Sequence, residues 1–247
     1  MGDRLQGKIC IVTGGGRGLG RAIVLRFAEE GATVIAAALT EAGKDVVKEA
    51  KGEVEFFKAD VTQPDQVQSL IQRCRQRHGR LDVLINNAGK GDPSPRRLHE
   101  IEVAAWDEVL AVNVRGAFLV LKYALPLLID SGGGSVINMA SIGSFRGTPL
   151  SSNYIASKGA VLMMTRTAAL EYVADNIRIN ALCPGAIATE LVAAAPEDLI
   201  QMLVSQIPQG RLGTPREVAN FALFLASDEA SHCTGGAYIL DGGRSAG

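Results

Sequence analysis

A chain of 247 residues, 47% of them hydrophobic, can bury a large core and still form a single α/β domain. Its 25 Lys and Arg stand against 26 Asp and Glu, and a net charge of −1 excludes the broad basic surface that nucleic acid or an anionic membrane selects. Cys10, Cys74, Cys183 and Cys233 form no C-x-x-C pair, and His78, His99 and His232 lack metal-ligand spacing, so reduced thiols and no metal site are expected.

The first residues, MGDRLQGK, contain no apolar signal region, and no apolar run approaches the roughly 18 residues of a membrane span. The expectation is a cytoplasmic protein. Apolar runs alternate with amphipathic stretches along the chain. Lys8–Thr13 is a short apolar strand that ends in glycines, and Gly18–Glu30 has helical spacing with Leu19, Ile23 and Phe27 on one side. Thr33–Ala38 is a second strand, Glu41–Ala50 a helix, and Val54–Ala59 a third strand. Pro64 opens a helix that runs to His78, a favoured first-turn position for proline. The basic run Arg73, Arg75, Arg77, His78 and Arg80 falls at its end, where cations suit the helix dipole.

Leu81–Ile85 is a fourth strand, followed by Asn86-Asn87-Ala88-Gly89 and a polar loop over Lys90–Pro95. Glu100–Ile129 reads as one long helix bent at Gly116 and near Pro126. Ser135–Met139 is a fifth strand, Ser151–Ala174 a long helix, and Ile177–Leu182 a sixth strand closed by Pro184-Gly185. Thr189–Ile207 holds one or two short helices, Pro215–Ala226 another, and Ala237–Leu240 a last strand. Continuous apolar strands alternating with helices predict a Rossmann-type α/β fold, a doubly wound parallel sheet of about seven strands with helices on both faces. Nothing in composition divides the chain, so residues 1–247 form one domain.

Two motifs carry chemistry. The turn Thr13-Gly14-Gly15-Gly16-Arg17-Gly18-Leu19-Gly20 joins the first strand to the first helix. Glycines there let backbone approach a pyrophosphate, which free N–H groups at the helix N-terminus attract. An NAD site usually places an acid about 20 residues on, at the second strand's end. Here Ala36-Ala37-Ala38-Leu39-Thr40 carries none, and Arg17 could reach a 2′-phosphate, so NADP is favoured and NAD stays possible. The second motif is Tyr154-x-x-x-Lys158. On a helix the i, i+4 spacing puts both on one face, and an ammonium beside a phenol lowers a pKa that starts near about 10.

These features, with Asn113, Ser141 and Pro184-Gly185 in the same order and spacing, resemble the short-chain dehydrogenase/reductase family over nearly the whole chain. The resemblance implies a catalytic set of Asn113, Ser141, Tyr154 and Lys158. Ser141 would bond the substrate oxygen, Tyr154 would exchange its proton, Lys158 would hold the nicotinamide ribose and, with the positive ring of the oxidised cofactor, lower Tyr154, and Asn113 would support a proton-relay water. It implies cofactor contacts from Gly14, Gly16, Arg17, Gly18, Leu19 and Gly20, from Asp60 and Val61 at the adenine, from Asn87 and Gly89 at the ribose, and from Ile187 and Thr189 at the carboxamide. It also implies a homotetramer or homodimer assembled through the Asn113 and Tyr154 helices.

The implied substrate is a small ketone or secondary alcohol. The 3-oxoacyl-carrier-protein reductases are similar through Gly210-Arg-Leu-Gly213 and Leu240-Asp-Gly-Gly243. The segments Ile129–Gly132 and Ala174–Asn176 are acidic or neutral, however, which repels an acidic carrier. A free ketone or alcohol therefore ranks above a carrier thioester, and a non-catalytic nucleotide sensor is the remote alternative. Residues 186–207 form the expected lid. Its apolar Leu191, Val192, Leu199, Met202 and Leu203 are expected partly to pack it on the body and partly to line the pocket.

Overall fold

Alternate residues of a strand point to opposite faces, so a strand that is apolar throughout must be covered on both sides. The computed structural model describes residues 2–91 and 95–246, without the Leu191 side chain; residues 92–94 of the loop expected at 90–95 lie outside the described residues. Its strands are β1 (Ile9–Thr13), β2 (Thr33–Ala38), β3 (Val54–Lys58), β4 (Val83–Asn86), β5 (Gly134–Met139), β6 (Ile177–Pro184) and β7 (Ala237–Leu240). All pair in parallel in the order β3-β2-β1-β4-β5-β6-β7.

The helices are α1 (Gly18–Glu29), α2 (Gly43–Glu49), α3 (Pro64–His78), α4 (Val103–Leu110), α5 (Ala117–Asp130), α6 (Ser152–Tyr172), α7 (Glu190–Ala193), α8 (Glu197–Ser205) and α9 (Pro215–Ala226). The strand alternation assigns the two faces. Cys10, Val12, Val34, Ala36, Val83 and Ile85 pack with Ile23, Val24 and Phe27 of α1 and with Val218, Ala222 and Leu223 of α9. Their neighbours Ile9, Ile11, Ile35, Ala37 and Leu84 pack on the other side with Leu70 and Cys74 of α3 and with Val120, Ala124 and Leu127 of α5. Each fully buried aliphatic or aromatic side chain of this kind contributes about 1.5–3 kcal/mol.

One expectation is corrected. The helix expected from Glu100 begins at Val103; Leu98–Glu100 is a separate 3₁₀ turn, ended by the extended backbone of Ile101 and Glu102. At Gly116, where a bend is expected, a π-helical turn, Ala111–Gly116, joins α4 and α5, a feature that commonly kinks a helix. Gly116 is needed there for space, since a Cβ would stand 2.8 Å from Val61 Cγ2. The continuous helix Val103–Asp130 is long and apolar enough to match a membrane span by length and composition, although Asp107, Glu108, Arg115 and Lys122 interrupt its apolar run. However, 56% of its apolar window is buried, and its inner face packs on the sheet as a core helix does.

The basic run at the end of α3 is matched by acids: Arg75 pairs with Asp130 at 2.7 Å, Arg77 with Glu55 at 2.8 Å, and Arg80 with Asp82. The helix α9 starts on a capping box. Thr214 Oγ1 accepts from Glu217 N at 3.2 Å, and Thr214 N donates to Glu217 Oε2 at 2.7 Å, with Pro215 in the first turn. Thr214→Ala is expected to cost about 1 kcal/mol of unfolding free energy and Thr214→Ser little, measured by urea denaturation; equal stability of the alanine variant would show that the box does not anchor α9.

Candidate active site

Strand order reverses between β1 and β4, so their following loops leave in opposite directions and open a crevice at the strands' carboxyl ends. The glycine turn lines it. Gly14 has φ +66, and a Cβ on Gly20 would stand 2.1 Å from Gly14 O, so a side chain there would close the turn. This is a cradle that only glycine leaves open, and it fits a dinucleotide phosphate. Arg17 is exposed and Leu19 packs against the core beneath. No side chain of Arg17 caps α1, so the first N–H groups face the crevice; that of Gly18 donates to Glu190 Oε2 at 3.1 Å.

Thr13 pins this turn. Its buried Oγ1 accepts from Asn87 N and Ala88 N, both at 3.0 Å, while Asn87 Nδ2 donates to Thr13 O at 2.9 Å and to Gly14 O at 3.4 Å. Asn87, expected along a ribose, thus spends its amide bracing the glycine turn. At the end of β2, Glu41 is paired with Lys44 at 2.9 Å and Lys58 at 3.4 Å, and these cations hold its carboxyl below the usual range. A Cβ on Gly16 would stand 3.1 Å from Gly43 N and 3.2 Å from Ala38 Cβ, so the glycine turn packs against the end of β2 and the start of α2, the helix that carries Lys44.

The other end is built by β5, α6 and the π-helical turn. Ser141 follows β5; its Oγ accepts from Gly143 N at 3.1 Å and is hydrogen-bonded to the Tyr154 hydroxyl. Tyr154 and Lys158 share one face of α6, continued by the buried Val161, Leu162 and Thr165. The Lys158 Nζ lies 5.7 Å from the Tyr154 ring centroid and donates to Met139 O at 2.7 Å. Asn113 sits inside the π-helical turn, a feature that often marks functional sites. Its Oδ1 accepts from Lys90 N at 2.7 Å, and its Nδ2 donates to Lys90 O at 2.8 Å and to Ser157 Oγ at 2.9 Å. Ser157 in turn donates to Tyr154 O at 2.7 Å. A Cβ on Gly89 would lie 3.4 Å from Asn113 Oδ1 and 3.5 Å from Lys158 Nζ, so the three residues meet. The four residues of the expected catalytic set therefore converge, together with Gly89.

Lys158 by itself does not lower Tyr154; the implied lowering includes the charge of the oxidised nicotinamide ring. Burial pushes the phenol up, the Ser141 hydrogen bond opposes this, and the Lys158 amine is turned to a backbone carbonyl. Burial also brings Lys158 down to about 8. Asp60 is engaged locally, accepting from Thr62 N and Oγ1 at 2.8 Å, and Val61 is buried against Gly116. Ile187 is buried and bridges to Gly213, whereas Thr189 stands over the glycine turn, its Cγ2 3.7 Å from where a Gly18 Cβ would be. In the lid Val192 and Leu203 are half-buried, whereas Leu199 and Met202 are 41% and 49% exposed and do not pack it on the body; the Leu191 side chain lies outside the described residues.

Thr13, Ser157 and Glu190 are site residues that the sequence reading missed. The only signal for Thr13 was a lone hydroxyl between an apolar strand and a glycine run.

A family model described as enoyl-(acyl carrier protein) reductase matches residues 14–245, spanning the glycine turn, Ser141, Tyr154 and Lys158. The chain belongs to the short-chain dehydrogenase/reductase family. It is 43% identical over 245 residues to 3-oxoacyl-[acyl-carrier-protein] reductase FabG of Thermotoga maritima, covering 97% of this chain and 98% of that one. It is 41% identical to 2,5-dichloro-2,5-cyclohexadiene-1,4-diol dehydrogenase LinX of Sphingobium indicum, and 39% identical to cis-4-hydroxycyclohexanecarboxylate dehydrogenase of Sinomonas cyclohexanicum; both matches cover 100% of each chain. As a short-chain dehydrogenase/reductase it is an oxidoreductase of alcohol and ketone groups that uses a nicotinamide cofactor.

The buried amine has a consequence for stability. Lys158 titrates near about 8 when folded against an ordinary 10.5, so between these values the unfolded chain holds a proton that the folded chain lacks. Folding is then penalised fully below about pH 8, and the penalty fades as pH rises toward 10.5. Relative to Lys158→Met, the wild type should gain on the order of 1–3 kcal/mol of stability between these pH values, measured by chemical denaturation. A difference independent of pH would show that Lys158 is charged in both states.

Proposed function

We propose that this enzyme interconverts a free ketone and a secondary alcohol with NADP(H), using Tyr154 as general acid and base. The observation that carries the reading is the convergence of Ser141, Tyr154, Lys158 and Asn113 at one end of the crevice whose other end is the glycine cradle. Burial keeps the phenol protonated at neutral pH, which suits it to give a proton to a carbonyl oxygen during reduction. Ser141 Oγ, already bonded to that phenol, would share the same oxygen and stabilise its developing charge. In oxidation Tyr154 must lose its proton, and the Ser141 hydrogen bond is the contact that favours this. Lys158, near about 8, can hold or release a proton close to neutral pH, beside the Asn113 and Lys90 amide groups. The bound nicotinamide supplies or accepts the hydride.

Support for NADP comes from Arg17, Lys44 and Lys58, three cations against the single Glu41 where a 2′-phosphate would lie. The lysines add to the sequence argument from Arg17. For the substrate, two relatives are named for alcohols on six-membered rings, which favours a small ring alcohol or ketone. The likeness to FabG favours a second reading, a 3-oxoacyl carrier thioester. Asp130, one of the acids expected to repel such a carrier, is paired with Arg75, so that repulsion rests on Asp175. Assembly of two or four copies through α4, α5 and α6 is supported by their exposed Val103, Phe118, Met163 and Leu170. Light scattering should find a dimer or tetramer, and a monomer would remove this part of the reading.

The direct test pairs binding with turnover. NADPH should bind tighter than NADH by fluorescence titration, and a panel of ring and open-chain alcohols, ketones and 3-oxoacyl thioesters should identify the substrate through cofactor absorbance. Tyr154→Phe should bind NADPH as the wild type does and lose roughly 10²–10⁴-fold in turnover. Undiminished turnover would end the Tyr154 mechanism, tighter NADH binding would end the NADP assignment, and thioesters as sole substrates would favour the second reading.

A further inference from the structure

The N–H groups at the start of α1 are what a cofactor diphosphate seeks, and one of them is already engaged. Gly18 N donates to Glu190 Oε2 at 3.1 Å. Glu190 is the first residue of α7, the part of the lid nearest the glycine turn, and Thr189 beside it also touches that turn. Among the described residues no lysine, arginine or histidine is ion-paired with Glu190. Its negative charge is therefore matched by the N-terminal end of α1, as a phosphate would be. Beyond α7 no residue of α8 is fully buried and Leu199 and Met202 stand exposed, and the next buried anchor of the lid is Ile207 at its far end.

We infer that Glu190 is a latch, a carboxylate that holds α7 on the glycine turn in the cofactor-free protein and must be displaced by the cofactor's phosphate. This rests on the reading above that the glycine turn receives the cofactor. Two anions cannot share the Gly18 N–H, and at this separation they repel. Cofactor binding therefore releases the lid's first helix, and the latch lowers the apparent affinity by the fraction of molecules in which it is closed. The exposure of Glu190 makes the exchange inexpensive, since the freed carboxylate returns to water.

The experiment compares the full-length wild type with Glu190→Gln and Glu190→Ala. NADPH affinity is read by fluorescence titration, and lid motion by hydrogen exchange of peptides over residues 189–205 in the cofactor-free protein. Both variants should bind NADPH roughly 2- to 10-fold tighter than the wild type, and the lid peptides should exchange faster in Glu190→Ala. Inorganic pyrophosphate should speed lid exchange in the wild type and leave Glu190→Ala unchanged. Unchanged or weaker NADPH binding in both variants, or lid exchange indifferent to Glu190 and to pyrophosphate, would overturn the latch while leaving the oxidoreductase reading intact. A wild type that binds neither NADPH nor NADH would overturn both.

Discussion

The site depends on the bond between the ends of β1 and β4. Neighbouring parallel strands whose crossovers leave in opposite directions open a crevice, but an open crevice does not by itself have a shape. The Thr13 hydroxyl, accepting from Asn87 and Ala88, and the Asn87 amide, donating to Thr13 and Gly14, join the two loops into one rigid lip. All of these groups are at least partly withdrawn from water, where an unmade hydrogen bond is costly. The glycine turn therefore keeps one geometry, and the α1 N-terminus points at one place.

A second set of hydrogen bonds carries that order to the catalytic end. From Gly89 the chain passes to Lys90, whose two backbone groups are both held by Asn113. Asn113 can reach them because the π-helical turn between α4 and α5 re-aims its side chain, and the same amide reaches Ser157 on α6. Ser157 bonds the backbone of Tyr154, so the proton donor is connected through side chains and backbone to the loop that Thr13 anchors. The residues expected to serve a cofactor or a water are, in this arrangement, first of all the joints of the frame.

Burial then sets the electrostatics. Lys158 is 6% exposed and has a backbone carbonyl rather than a carboxylate as its partner, so its charged form is disfavoured. Tyr154 is pushed the opposite way for the same reason, since its charged form is the deprotonated one. The two shifts move the phenol and the amine apart in proton affinity and invert the order they have in water, so the amine gives up its proton first while the phenol keeps its own to donate.

Much of this was legible in the chain alone. Apolar runs of four to eight residues between amphipathic stretches marked β1 to β7, Pro64 and Pro215 marked the starts of α3 and α9, and the i, i+4 spacing of Tyr154 and Lys158 placed both on one face of α6. These signals are local, because periodicity, capping and proline geometry act within a few residues. The parallel sheet with two covered faces followed from them. What the tertiary structure decided involves partners far apart in sequence: Asn87 bracing Thr13 across 74 residues, Glu190 reaching Gly18 across 172, Val61 making Gly116 necessary, and a lid whose α8 has no fully buried residue. The sign of the Tyr154 shift belongs with these. Sequence spacing placed a lysine near the phenol, but the balance between that charge and the loss of water depends on burial and on where the amine points, and both are properties of the folded chain.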